Sequence, residues 1–160
     1  MHVRARPLSG IPSVLCLCLS ACGAPQLATP ADDVPVPAEP VGLRPLLPET
    51  VEAAGLTGEL ACSFTARNEM LLLARGNVAA AGPANALIRS DAGPVRLQRP
   101  GGFDAMIDGG RFEGSGARVH IALTGPAVAP GESPPRPATL ALERSGTSPW
   151  RVAGEWTCGP

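Results

Sequence analysis

The chain has 160 residues, 13 basic and 14 acidic, for a formal charge of −1. That length suits one ordinary domain. The near-neutral balance excludes the clustered basic surface that a nucleic-acid partner or polybasic docking on anionic lipid would need. Every basic residue is arginine and tyrosine is absent, so chemistry resting on a Lys or Tyr side chain has no residue to use.

Residues 1–7 carry Arg4 and Arg6, and residues 8–19 form an apolar run with Ile11, Val14, Leu15, Leu17 and Leu19. Twelve helical residues reach only about 18 Å, against about 30 Å of hydrocarbon. The pattern therefore predicts a signal peptide over 1–21, too short for a membrane span. Arg4 and Arg6 are not adjacent, which favours general export of an unfolded chain over the twin-arginine route. The run closes in Leu19-Ser20-Ala21-Cys22, which resembles the lipobox of bacterial lipoproteins. That resemblance implies cleavage before Cys22, lipid on the Cys22 thiol and a place in the bacterial cell envelope. Two or more acyl chains there would make attachment effectively permanent. Gly23 after the cysteine leans towards the outer membrane, facing the periplasm. The alternative is an ordinary secretory signal cut near residues 21–24. Without residues 1–21 the chain loses Arg4 and Arg6, leaving 11 basic against 14 acidic residues and a formal charge of −3.

Of the five cysteines, Cys16 and Cys18 would leave with the signal peptide. Cys62 and Cys158 remain as one pair in a compartment where disulfides persist, and we expect them to be joined. The loop so closed would contribute about 4–5 kcal/mol in the chain-entropy model.

Residues 22–48 read as a lipidated N-terminus and tether, with Pro25, Pro30, Pro35, Pro37, Pro40, Pro45 and Pro48 and little to bury. Extended polyproline II at about 3.1 Å per residue gives such a stretch a reach of up to ~75 Å. A short helical turn is expected over 48–55, with proline near its start, acids in its first turn and Gly55 after its end.

A β-rich globular domain is expected over 49–160, its strands beginning near Leu56. Segments alternate with period two between Gly and Pro breaks. Strands are expected at 59–66, 70–74, 86–89, 95–98, 103–107, 117–124, 138–144 and 150–158. Turns are expected at 90–93 and 108–110, and Gly114-Ser115-Gly116 also reads as a turn. The loop 125–137 is long and its five prolines favour a disordered tip. Seven to eight short strands with hairpin-length links predict an all-β fold, a small antiparallel barrel or sandwich. Cys62 lies on the first strand and Cys158 on the last, on the faces carrying Phe64 and Trp156, so the bridge should be internal. Whether the lumen is filled or hollow is left open.

His120 is the one histidine after residue 21 and lacks the convergent partners a zinc site needs. Asp104 and Asp108 flank one apolar segment, followed by Glu113, without EF-hand spacing. The glycine of a nucleophile elbow is missing two places before Ser115, where Glu113 stands. No cofactor, metal or catalytic set is expected.

The lipoprotein signal, the short-stranded domain and the first-to-last-strand disulfide together resemble the membrane-bound inhibitors of c-type lysozyme, which are small periplasmic β-barrels. Their signature, Ser-Gly-x-x-Tyr followed by a Trp/Lys-Gly segment, is met here by Ser115 and Gly116 only, with Val119 in place of the tyrosine and no lysine in the chain. The resemblance carries Ser115 over as a partner contact. The reading overall is a non-enzymatic envelope lipoprotein, a tethered β-domain that binds a protein or peptidoglycan. A carrier or sensor of a small apolar ligand and a lysozyme inhibitor are the alternatives. Metabolic labelling with radioactive palmitate tests the address: the wild-type chain should take up label and Cys22→Ser should take up none, whereas equal labelling of the two would remove the lipidation site.

Overall fold

The computed structural model describes residues 42–160. The signal peptide, Cys22 and the tether up to residue 41 lie outside the described residues.

Alternating apolar residues need a sheet with one face out of water. Here that face is turned inside a cylinder. A short helix, α1 (Pro48–Ala54), precedes eight strands. It has Pro48 in its first turn, Glu49 beside it, and Gly55 in the left-handed conformation at its end, as the sequence signals require. The strands are β1 (Leu60–Ala66), β2 (Glu69–Gly76), β3 (Ala84–Ser90), β4 (Gly93–Arg99), β5 (Gly110–Gly114), β6 (Ala117–Leu123), β7 (Arg136–Arg144) and β8 (Trp150–Gly159). Each pairs antiparallel with the next, and β8 returns to β1 to close a barrel. No helix among the described residues is long and apolar enough to cross a membrane.

Closure is made by Cys62 opposite Cys158 and Phe64 opposite Trp156. The two cysteines are disulfide-bonded with their Cα atoms 4.0 Å apart. Eight strands enclose a space that side chains just fill. Phe64, Leu72, Phe112, Val119, Leu140 and Trp156 fill it, each at most 1% exposed. A register shift between β1 and β2 leaves Leu71 as an extra residue, so that Leu71 and Leu72 are both buried; such a bulge bends the strand inward. Gly154 on β8 makes room for the largest ring of β1: a Cβ there would stand 2.3 Å from the Thr65 carbonyl oxygen and 2.7 Å from the Phe64 ring.

Both ends are stoppered. At one, a 3-10 turn over Asp104–Met106 drops Phe103 and Met106 into the core, and the Trp156 indole donates to the Met106 carbonyl at 3.0 Å. This corrects the expectation of a strand over 103–107. The backbone turns there because Phe103 and Met106 lie three apart, on one side of a helical turn and on opposite sides of a strand. The strand that follows is β5, which the sequence reading missed because it is short and has glycine at both ends.

At the other end lies Gly42–Leu47. Expected to be tether, it instead docks on the barrel. Gly42 sits under the Trp150 indole, and Leu43 and Leu46 are buried. Arg44 N–H donates to the Arg89 carbonyl and Leu46 N–H to the Met70 carbonyl. Prolines concealed an amphipathic Leu-x-x-Leu. The long loop after β6 is also more built than its composition suggests. Thr124 N–H donates to Pro137 and Val128 N–H to Pro135, which continues the β6–β7 ladder outward.

The barrel has one thin seam. β4 and β5 share a single ladder pair, Gln98 and Glu113, where β3–β4 and β6–β7 each share seven. Arg99 crosses this seam. Its guanidinium donates to the Gly109 carbonyl and lies over the Phe112 ring at 5.5 Å. Burial pushes its pKa down, and its Nε has no partner among the described residues, so the clasp works against a desolvation cost. Arg99→Met keeps the volume and loses both contacts. It should lower unfolding stability by about 1–2 kcal/mol in denaturant titration and speed amide exchange at Gly109–Phe112; unchanged exchange there would show that the seam does not need Arg99.

Candidate functional site

Antiparallel order puts four hairpin turns at one end of the barrel: residues 67–68, 91–92, 115–116 and 145–149. Ser115 is at the tip between β5 and β6. Its φ is +48° and that of Gly116 is +74°, two consecutive left-handed residues. This is the turn whose twist matches a hairpin. A serine there is held against its own preference, and it stands exposed.

Below the tip, register lines up a polar belt on the outer wall. Asn85 pairs with Gln98, Gln98 with Glu113, Glu113 with Arg118 and Arg118 with Glu143. Gln98 donates to Asn85 at 3.0 Å. Arg118 donates to Glu113 at 2.7 Å and to Glu143 at 3.5 Å. The hydrogen bond and charge of Glu113, then those of Glu143, push the Arg118 pKa above its ordinary value. Opposite charges on neighbouring strands hold one another's rotamers, but these side chains are solvated and the pairing adds little stability.

Two clefts flank the Ser115 tip. One, of about 610 Å3, lies among Glu113, Ser115, Arg118, Glu143, Arg144 and Ser145. The Arg144 Nη2 is buried with no partner among the described residues. The other cleft, of about 630 Å3, is more apolar and runs between α1 and the barrel wall, past Thr50, Ala53, Leu87, Pro94 and Arg96 to Ser115. The tip is thus a fin between a charged hollow and an apolar one. The arrangement offers shape, hydrogen bonds and both signs of charge, which is what recognition uses.

The other residues singled out by sequence do not converge. His120 is exposed on the outer wall between Arg111 and Ala141. Asp104 accepts from the Ala79 N–H at 2.8 Å, and Asp108 pairs with Arg136 at 2.6 Å. No group of three His, Cys, Asp or Glu that could hold a metal occurs among the described residues. Sequence reading missed Arg118, Glu143, Arg144 and α1 as neighbours of Ser115, because cross-strand register is invisible until the barrel closes. Compared with known proteins, the chain matches no family model, no curated protein and no solved structure.

Two substitutions separate the turn's backbone need from the hydroxyl. Ser115→Asn, which tolerates the left-handed region, should keep stability within ~0.5 kcal/mol of wild type, and Ser115→Val should lose about 1–2 kcal/mol. Thermal denaturation of both checks this, and an undisturbed Val variant would mean the tip is not held in that conformation.

Proposed function

We propose that the chain is a non-enzymatic lipoprotein of the bacterial cell envelope, anchored through Cys22, whose barrel binds a protein or peptidoglycan partner through the rim around Ser115. The filled lumen carries this reading. Because Phe64, Phe112, Met106 and Trp156 are buried side by side in the interior, the wall behind the rim is rigid. A rigid scaffold presenting an exposed tip loses little entropy when a partner docks. The same filling weighs against a carrier of apolar ligands, which needs the room those side chains take. The disulfide suits an oxidising envelope compartment.

A second reading, inhibition of c-type lysozyme, is favoured by one observation: Ser115 of the Ser-Gly pair stands at an exposed tip, where a contact residue belongs. The pattern departs at Val119, which is buried in the core.

The oxidised chain from Gly23 to Pro160 is immobilised and offered envelope extract, purified peptidoglycan and c-type lysozyme in separate arms. The expected result is stoichiometric capture in one arm, lost in the rim variant Arg118→Glu with the disulfide and barrel intact. Capture of lysozyme with block of cell-wall lysis selects the inhibitor reading. No capture in any arm, or capture indifferent to the rim variant, overturns the proposal.

A further inference from the structure

The chain ahead of β1 belongs to no strand of the barrel, yet it spans the barrel's length. It enters at the turn end, where Gly42 lies under Trp150, the first residue of β8. It must reach Leu60, the first residue of β1, at the opposite end. In between it is held by separate local contacts: Leu43 reaches the core cluster at the barrel's mouth, and at the far end Glu59 N–H donates to Asn77 at 3.2 Å while its carboxylate accepts from the Val78 N–H at 2.9 Å. Two backbone hydrogen bonds fasten Arg44 and Leu46. Arg44 meets Asp91 in an exposed pair, of a kind that contributes little. Arg96 donates to the last carbonyl of α1, that of Ala54. α1 itself has seven residues and buries none of them; a helix that short is marginal without its support. Leu43 and Leu46 are the apolar pins.

Two residues into β1 the situation changes completely. Cys62 is bonded to Cys158, two residues from the last residue of the chain. Tension applied at the N-terminus loads Gly42 first, and the contacts of the strap then break one after another instead of sharing the load. At Cys62 the load meets a covalent bond and passes to β8. A pull on both ends of the oxidised chain bypasses the residues between the two cysteines, whereas a partner on the rim takes the load through the closed, stapled barrel.

We propose that residues 42–59 are a tension-released strap: a pull on the tether peels them from the barrel as far as β1, which the Cys62–Cys158 bond staples to β8, while the strands stay paired. This rests on the reading that the chain is anchored through Cys22, which supplies the pull when a partner holds the barrel. Release of these eighteen residues frees ~60 Å of chain at about 3.5 Å per residue, and the reach grows by that length less the barrel length that the docked strap already spans. It also uncovers Trp150 at the rim and Leu87, which is 1% exposed beside α1. The strap is a low-stability unit attached to a high-stability one, the usual makeup of segments that open locally.

The test is an optical trap pulling the full chain from both ends, with Cys16, Cys18 and Cys22 replaced by serine so that one disulfide remains. The oxidised chain should show one reversible extension of about that gain in reach and then none. Under dithiothreitol a second, much longer extension should follow at clearly higher force, as the barrel between the cysteines gives way. Leu46→Ser, outside the lumen, should lower the force of the first step and leave the second unchanged. A reduced chain that opens in one step, or an oxidised chain with no step below the reduced barrel's rupture force, overturns the strap. Loss of palmitate labelling at Cys22 would remove the source of tension without altering the trap record, so the two failures are distinguishable.

Discussion

The closure of β8 onto β1 is the contact on which the rest of this structure depends. It pairs residues from the two ends of the folded chain, so it is the most expensive loop to close and the last edge to be protected. Three features converge on it. The disulfide fixes the register at Cys62 and Cys158. Two residues away, Phe64 meets Trp156, the largest side chain in the lumen. Gly154 gives Phe64 its space. Trp156 also ties the closure to the stopper at that end through the Met106 carbonyl, and its ring lies 6.4 Å from Phe112 across the lumen. A change at this seam is therefore felt by the wall, the stopper and the interior together.

The opposite weakness, between β4 and β5, shows how a small barrel manages a join for which it has too little ladder. Gly114 lets β5 approach β4 closely, since a Cβ there would stand 2.5 Å from the Arg96 carbonyl oxygen. Arg99 then supplies from a side chain the hydrogen bond that the backbone does not make. The Ser115 turn begins where this seam ends, so the candidate site stands at the edge of the barrel's least paired region while its other flank, β6 and β7, is fully laddered.

Much of the fold was legible because it rests on period-two alternation, which needs no partner to be read. Leu60, Cys62, Phe64 and Ala66 declare their face from sequence alone, as do Val119 and Ile121. The internal disulfide followed from the same faces. What was illegible required a neighbour. Phe103 and Met106 look like strand residues until the barrel offers an open end to stopper. Leu43 and Leu46 look like tether because the prolines around them dominate local composition, and only the open turn end of the closed barrel makes burial available to them. The candidate site was legible as a single residue, Ser115, for the same reason: a turn is local, whereas the belt of Glu113, Arg118 and Glu143 exists only through register.

The position of the strap bears on how the rim would be used. Because Gly42 lies on Trp150, the described chain begins at the turn end, beside the β7–β8 turn and on the same end as Ser115. Had the chain passed straight into β1, it would have entered at the opposite end, away from the rim. The strap reverses that relation. If the rim is the contact surface and the chain is anchored through Cys22, a partner docked there would sit next to the emerging tether, and the anchor would confine the partner and the rim to the same volume. Confinement of this kind raises effective concentration most when the tether's span matches the distance to be bridged, and loses the advantage as the tether grows longer. A strap that is docked while slack and released under load would keep the tether short during the search and lengthen it only after capture, when reach matters more than concentration.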